Sequence, residues 1–421
     1  MSENFEGATA GPVGERERIA EIDILRGVAL LGVLLMNFVG IAGPGWLATD
    51  TQLEALPTAT IDWWAYEVVR IFVGDKANTT FATLFGLGFY IQMTRGEGRP
   101  GFEARYRRRL FWLLMFGWAN ALFLWVWDIL NLYAVAGFFL LLTRRWSTRT
   151  LVIFGTVAAL YSDKLQEWLV KAFALPIPST DYLYTDAAVL ERQATAVSGS
   201  YWANVQSMWQ STWGEWLVGG LMFAWIIYAL GRFALGAAIG RSGILENVDR
   251  HLPLFRRVAS IGIPLGIALG LLIRLLAHKA LPLPGDLSTW AEFGGSLRSP
   301  AALILAAGYC AGIVFALRSD WGRTVFTPFG AVGRMALTNY LAQGLIYAFI
   351  LFGIGPGLGL AGRIGSLAIA IISFAFFALQ IGFSHWWLAR YRFGPMEWVW
   401  RTLTYGERPK MRRMDALPAT A

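Results

Sequence analysis

The feature that most constrains this chain is a series of apolar stretches, each close to the length of a bilayer-spanning helix, separated by short segments rich in arginine. A spanning helix needs about 20 apolar residues. Stretches of that kind run over 24–44, 77–93, 110–127, 129–143, 150–170, 215–239, 258–277, 299–317, 331–352 and 364–390. Lipid offers the backbone no hydrogen-bond partners, so each stretch must satisfy its own polar groups as a helix. The expected fold class is therefore all-α, a polytopic transmembrane bundle of about ten helices. An even number of crossings puts both termini on one side.

Composition agrees. The chain is 56% hydrophobic and 15% charged, where soluble domains carry about a quarter charged residues. Many of the 20 tryptophans stand at the ends of apolar runs, where an amphipathic ring sits at the headgroup level. The net charge of +8 does not indicate nucleic acid, because the basic residues lie in short segments between apolar runs instead of on one face. The lone Cys310 lies inside a run and is expected to pack there; it allows no disulfide framework. The first apolar run is too long for a signal-peptide core and reads as an uncleaved first span.

The charge bias orients the chain. Segments 95–109, 144–149, 241–257, 318–323 and the tail after Ala389 are rich in arginine, and the N-terminal arm adds Arg16 and Arg18. Segments 45–60, 171–213, 278–298 and 353–363 are nearly bare. Roughly 24 basic residues on the first set face roughly 5 on the second, a positive-inside pattern. The first set and both termini are expected in the cytoplasm of a bacterial inner-membrane protein. The regions read as 1–170 (the first five spans), an extracytoplasmic loop 171–214, a C-terminal membrane module 215–406, and a disordered basic tail 407–421. The long outer loop, with Asp181, Tyr182 and Tyr184, is either a cap over an outer cavity or a polar connector.

Two local features follow from length. The stretch 61–93 is too long for one span, so Gly74 and Asp75 are expected to break it. Residues 61–73 would then lie along the outer interface, with Lys76 at the outer mouth. Between Arg109 and Arg144 the chain must go up and come back within 110–143. Each leg is about 17 residues, or about 25 Å, against a hydrocarbon core of about 30 Å. Asp128 sits at the tip, flanked by Trp125, Trp127 and Ile129. A carboxylate there must pair, face a wet cavity or become neutral; it also suits an N-cap of the next helix.

Depth alone assembles an outer polar group of Asn37, Lys76, Asn78, Asn120, Asp128 and Asn131, with Gln343 near mid-membrane. Asp128, Asn120 and Lys76, joined by His278 from the outer loop, are the candidate catalytic residues. For Lys76 the competing reading is a snorkelling helix end; for the asparagines it is interhelical hydrogen bonding. An inner group gathers Asp23 and Arg26, three apart on one helical face, with Arg334, Glu397 and Arg401. Arginine forks suit phosphate, so these are candidate cofactor-binding residues; the competing reading is an ion-pair cluster. His251, His278 and His385 are not at metal-ligand spacing, so no metal site is expected. Gly86-Leu87-Gly88 reads as close helix packing.

The same segments resemble the YeiB family: Ile22-Asp23-Ile24-Leu25-Arg26-Gly27 through Asn37, Lys76 through Phe89, and Trp125 through Tyr133. Gly333 through Gln343 (GRMALTNYLAQ) and Phe393 through Gly406 (FGPMEWVWRTLTYG) resemble that family's C-terminal module, domain of unknown function 418. The family is grouped by sequence with transmembrane acyltransferases. The resemblance implies transfer of an acyl group from a cytoplasmic thioester, acetyl-CoA or another acyl-CoA, to an extracytoplasmic acceptor. Asp23 and Arg26 match the family motif at the first span. The sequence departs from the family pattern where many members carry a His and a Gly; here Asn120 and Trp127 stand at those places. Asparagine cannot serve as a general base near neutral pH, so the chain either uses another group, Asp128 or His278, or does different work.

The alternative function is a transporter or exporter of a small or amphiphilic molecule, and the third is a structural membrane partner without turnover. Expected partners are the lipid bilayer and a small-molecule, sugar or lipid acceptor, with no nucleic acid; a homodimer is left open.

Overall fold

The computed structural model describes residues 19–43, 45–96, 100–124 and 126–413. The arm bearing Arg16 and Arg18, residue Trp125 and the tail after 413 lie outside the described residues. The regular elements of the described residues are helices, and Tyr391 and Arg412 form an isolated antiparallel bridge.

In chain order the helices are α1 (Ala20–Ala42), α2 (Asp50–Glu54), α3 (Ala59–Phe72), α4 (Lys76–Gly96), α5 (Phe102–Phe123) and α6 (Ile129–Leu142). There follow α7 (Thr148–Leu160), α8 (Ser162–Ala172), α9 (Asp186–Val197), α10 (Tyr201–Ser211), α11 (Leu221–Ser242) and α12 (Leu252–Ala277). The last six are α13 (Leu287–Ser296), α14 (Arg298–Ala316), α15 (Asp320–Arg334), α16 (Ala336–Leu351), α17 (Ser366–Arg390) and α18 (Pro395–Tyr405). By length and composition, five segments suit a membrane crossing: α1, α11, α14, α17, and Asp249–Ala277, which joins α12 to the turn before it.

The connections collect at two ends of the bundle. At one end, Arg144 pairs with Glu103 at 2.8 Å, Arg318 pairs with Glu21 and Asp249, and Arg241 donates to the Arg144 and Trp146 carbonyls. These contacts join the α4–α5, α6–α7, α11–α12 and α14–α15 connections to the start of α1. At the other end, Arg192 donates to the Trp46 carbonyl, Tyr201 to the Phe123 carbonyl, and Gly353 N to the Ala196 carbonyl. In these contacts the arginine-rich segments meet one another and the arginine-poor segments meet one another.

Helix breaks follow local chemistry. The expected break near Gly74 and Asp75 is present: α3 stops at Phe72, α4 starts at Lys76, and Asp75 takes a left-handed φ of 62°. Ile61, Trp63 and Trp64 of α3 are exposed, while its buried Asp62 accepts from Leu367 N at 2.8 Å and so caps α17. The stretch expected as one helix over 331–352 is two. α15 ends at Arg334 because it lies across the start of α1, with Gly333 packed on the Asp23 carbonyl; the chain then turns at Met335. The stretch 150–170 is likewise divided at Tyr161. The long loop 171–213 is a folded cap, α9 and α10, followed by a π-helical run Thr212–Val218. The segment expected as an unfolded tail from 407 holds backbone pairing as far as Arg413, where Arg392 N donates to Met411 O and Arg413 N to Arg390 O.

Candidate functional site

Asp128 is the N-cap of α6. Its Oδ1 accepts from Leu130 N at 2.7 Å and Asn131 N at 3.0 Å, and its Oδ2 accepts from the Asn120 amide at 2.7 Å. The side chain is fully buried. Asp128 thus stands in the turn between α5, which ends at Phe123, and α6, and the cap reading holds. Trp127, just before it, has φ of 50°, a left-handed conformation that glycine adopts at little cost. The ring is fixed on both sides: it packs 4.3 Å from Trp46, and its Nε1 donates to Glu215 at 2.7 Å. Glu215 lies in the π-helical run and also accepts from the Tyr184 hydroxyl. Arg192 lies over the other face of the Trp46 ring, 4.3 Å from its centroid. The cap thus closes the hairpin tip from the arginine-poor end.

From the opposite end a cavity of about 1100 Å³ rises into the bundle. Seven arginines line it among the described residues, Arg26, Arg95, Arg105, Arg109, Arg241, Arg334 and Arg401, against three carboxylates, Asp23, Glu246 and Glu397. Its wall on α4 runs from Gly96 at the mouth to Phe81, about 22 Å of helix at 1.5 Å per residue. Towards its inner end the lining is Phe81, Phe85, Leu113, Leu130, Tyr133 and Tyr340. The cavity is cationic near the mouth and aromatic at depth, and its floor lies level with the start of α6.

All five residues expected of the inner group line this one cavity. Asp23 and Arg26 pair at 3.4 Å, and a guanidinium nitrogen of Arg26 lies so near Gly88 that a Cβ there would be 2.9 Å away. Arg401 lies over the Phe393 ring at 4.5 Å. Glu397 has a structural task as well. Its Oε1 accepts from Leu337 N at 2.6 Å and Thr338 N at 3.1 Å, and its Oε2 accepts from the Thr338 hydroxyl at 2.6 Å. The tail helix α18 therefore caps α16, and burial pushes the Glu397 carboxyl above the usual carboxylate range. Replacing Glu397 with Ala is expected to cost about 1–3 kcal/mol through the lost cap and the stranded N–H groups. Amide exchange at Leu337 and Thr338 should accelerate; unchanged exchange would refute the capping role.

The outer group is only partly assembled. Asn120 and Asp128 are bonded, and Asn131 follows in the first turn of α6. Lys76 instead donates to the Arg70 carbonyl at 3.1 Å, a helix-end contact, while the Asn78 amide meets Met36 Sδ at 3.9 Å. Asn37 is half-buried. Gln343 bridges the Leu30 carbonyl and Gln380. His278 does not reach Asp128: its Nε2 lies 3.0 Å from Glu67 Oε1 and 3.1 Å from Arg274, at the junction of α12 with α3. Burial raises the Glu67 carboxyl, but hydrogen bonds from Arg274 and His278 outweigh it, leaving Glu67 below the usual carboxylate range. That cluster joins two helices, and the sequence reading had not paired its members.

Two further residues were not singled out from the sequence. Arg232, fully buried in α11, donates to Thr79 Oγ1 at 3.0 Å and to the Tyr228 carbonyl at 3.1 Å, and stacks over the Tyr228 ring at 3.3 Å. An arginine inside an apolar run was a visible signal. Tyr340 lies within the quoted GRMALTNYLAQ stretch, but only its three-dimensional neighbours mark it out.

The family described as "Protein of unknown function (DUF418)" matches residues 239–407. The uncharacterized protein YxaH of Bacillus subtilis (strain 168) is 30% identical over 411 residues, covering 94% of this chain and 96% of its own. The uncharacterized protein YeiB of Escherichia coli (strain K12) is 28% identical over 401 residues, covering 92% and 96%. The chain belongs to the YeiB family. The likeness to YeiB-family relatives spans both the α1–α6 region and the module that carries α16 and α18, so the cavity walls fall within the shared sequence. An uncharacterized 39.9 kDa protein in the amylase 3'-region of Bacillus acidopullulyticus is 26% identical over 415 residues.

Proposed function

We propose that this protein is a multi-pass inner-membrane acyltransferase, taking an acyl group from a cytoplasmic thioester and passing it to an acceptor from the other side of the membrane. The observation that carries this reading is the cavity. Its arginine-rich mouth lies with the segments that the positive-inside rule assigns to the cytoplasm, and about ten crossings put both termini there. Guanidinium forks match phosphate oxygens in pairs, so Arg26, Arg105, Arg109, Arg334 and Arg401 would hold the phosphates of acetyl-CoA or another acyl-CoA. The volume is at the upper end for ligand sites, and the depth admits an extended thioester arm. The aromatic floor beside the first turn of α6 would then receive the acyl end. The Trp46–Trp127 pair and its cap would have to part for an acceptor to approach from outside.

Calorimetric titration of the purified protein with acetyl-CoA is the test. Charge-assisted hydrogen bonds contribute about 1.5–3 kcal/mol each, so Arg26→Ala and Arg334→Ala should each weaken binding by about 10- to 100-fold. Absence of binding to the wild type at millimolar ligand would reject the donor site. Uptake of labelled ligand into proteoliposomes without chemical change would favour transport.

A further inference from the structure

Asp128 carries the only carboxylate at the level of the cavity floor among the described residues of α5 and α6, yet it does not line the cavity. It is closed in by Asn120, by the N–H groups of Leu130 and Asn131, and by the side chain of Tyr340 at the same turn. Tyr340 differs from the other three in that its side chain both reaches the turn that holds the carboxylate and lines the cavity. Its hydroxyl also accepts from Ile129 N at 3.3 Å, so it is seated on the first turn of α6.

The ring is held in place by the helix that bears it. Glu397 caps the first turn of α16, Asn339 donates to the Val332 carbonyl and to Ser384 Oγ, and Gln343 donates to the Leu30 carbonyl. Each turn of α16 near Tyr340 is thus bonded to another helix, as a group that must act in one geometry requires. A phenol is both donor and acceptor. It can accept a proton at its oxygen while giving its own to a neighbour, which neither the asparagine nor a backbone N–H can do.

We propose that Tyr340 is the catalytic residue that meets the reacting atoms in the cavity, and that Asp128 acts through it as the proton store. This rests on the donor-cavity reading above. The acceptor is a hydroxyl or amine, and water is the simplest case. Its oxygen or nitrogen bonds to the thioester carbonyl carbon while its proton passes to Tyr340 Oη, whose own proton moves to Asp128. The carbon–sulfur bond breaks, and the thiolate takes a proton back from Tyr340 as Asp128 returns the one it stored. One thioester and one X–H become one ester or amide, or a carboxylic acid when the acceptor is water, plus one thiol. Tyr340 and Asp128 end as they began. Asn120 serves to hold Asp128 Oδ2 and takes no proton.

The test uses the full chain in proteoliposomes, with Tyr340→Phe, Asp128→Asn and the double variant. Acetyl-CoA affinity should stay within about three-fold of wild type in all three, since the arginines are untouched. Thiol release should fall about 100-fold in each single variant, with the pH dependence of the residual rate flattened. The double variant should be no slower than either single one, as for groups acting as a unit. Separately, without ligand, the infrared carboxyl band assigned to Asp128 by its loss in Asp128→Asn should shift its titration midpoint by about half a pH unit or more in Tyr340→Phe. Wild-type failure to bind acetyl-CoA overturns the donor reading and not the Tyr340–Asp128 link. An unshifted band, a wild-type pH profile in Tyr340→Phe, or multiplicative losses in the double variant overturn the relay while leaving the donor reading intact.

Discussion

Asp128→Ala is expected to lower the melting temperature sharply, whereas Asp128→Asn is expected to leave a protein that folds but, on the proposed acyltransferase reading, turns over about 100-fold more slowly. Alanine removes the α6 cap, worth about 1 kcal/mol and up to about 2. The cap's loss leaves the Leu130 and Asn131 N–H groups, and the Asn120 amide with them, without their partner in a fully buried site. Each stranded donor costs about 1–3 kcal/mol. Together these take a large share of a total stability of about 5–15 kcal/mol. Asparagine caps a helix about as well as aspartate. The Asn120 amide can turn its oxygen, which has no partner in the present arrangement, towards the new amide. What asparagine cannot do is accept a proton, so the expected loss in thiol release is about 100-fold. Melting curves in detergent and thiol release from acyl-CoA in membrane vesicles separate the two effects. A stable Asp128→Ala protein would refute the cap's importance; an active Asp128→Asn protein would refute the role in proton transfer.

The second large effect is expected at Gly86. A Cβ there would run into the Phe233 carbonyl of α11, and one at Gly236 into the Thr83 carbonyl of α4. The two helices cross with backbone on backbone, so added side-chain volume cannot be absorbed by a rotamer change. Overpacking a core costs about 1–3 kcal/mol when side chains can shift; here the helices themselves must part. Their separation would also break the bond between Arg232 on α11 and Thr79 on α4. Gly86→Val should eliminate monodisperse folded protein on size-exclusion chromatography, and Gly86→Ala should reduce it. Gly382→Val, where a Cβ meets nothing within 4 Å, should leave the yield unchanged. A normal elution profile for Gly86→Val would contradict the packing.

Much of this was readable along the chain because it depends on length, hydropathy or nearest neighbours. The helical class follows from what lipid demands of a backbone, and the break at Asp75 from a stretch too long for one span. The hairpin tip at Asp128 follows from counting residues between two arginines. Asp23 and Arg26 share a face because a helix turns about every 3.6 residues. The split at Met335 was not readable, and the chain left open whether the loop after Ala172 is a cap or a connector, since each is set by a contact with a distant segment: Gly333 with Asp23, Arg192 with Trp46.

For the candidate site the division is the same. The chain alone determined which residues carry charge into apolar surroundings, and so which side chains need an explanation. Only the tertiary structure decided their partners. It gathered Asp23, Arg26, Arg334, Glu397 and Arg401 around one cavity, and it sent Lys76 and His278 to other contacts. It also set Tyr340 between that cavity and the first turn of α6, next to Asp128. The physical reason is range: a helix period or a hydrocarbon thickness acts over neighbouring residues, whereas a hydrogen bond between Tyr340 and the start of α6 depends on how two helices more than two hundred residues apart come to pack.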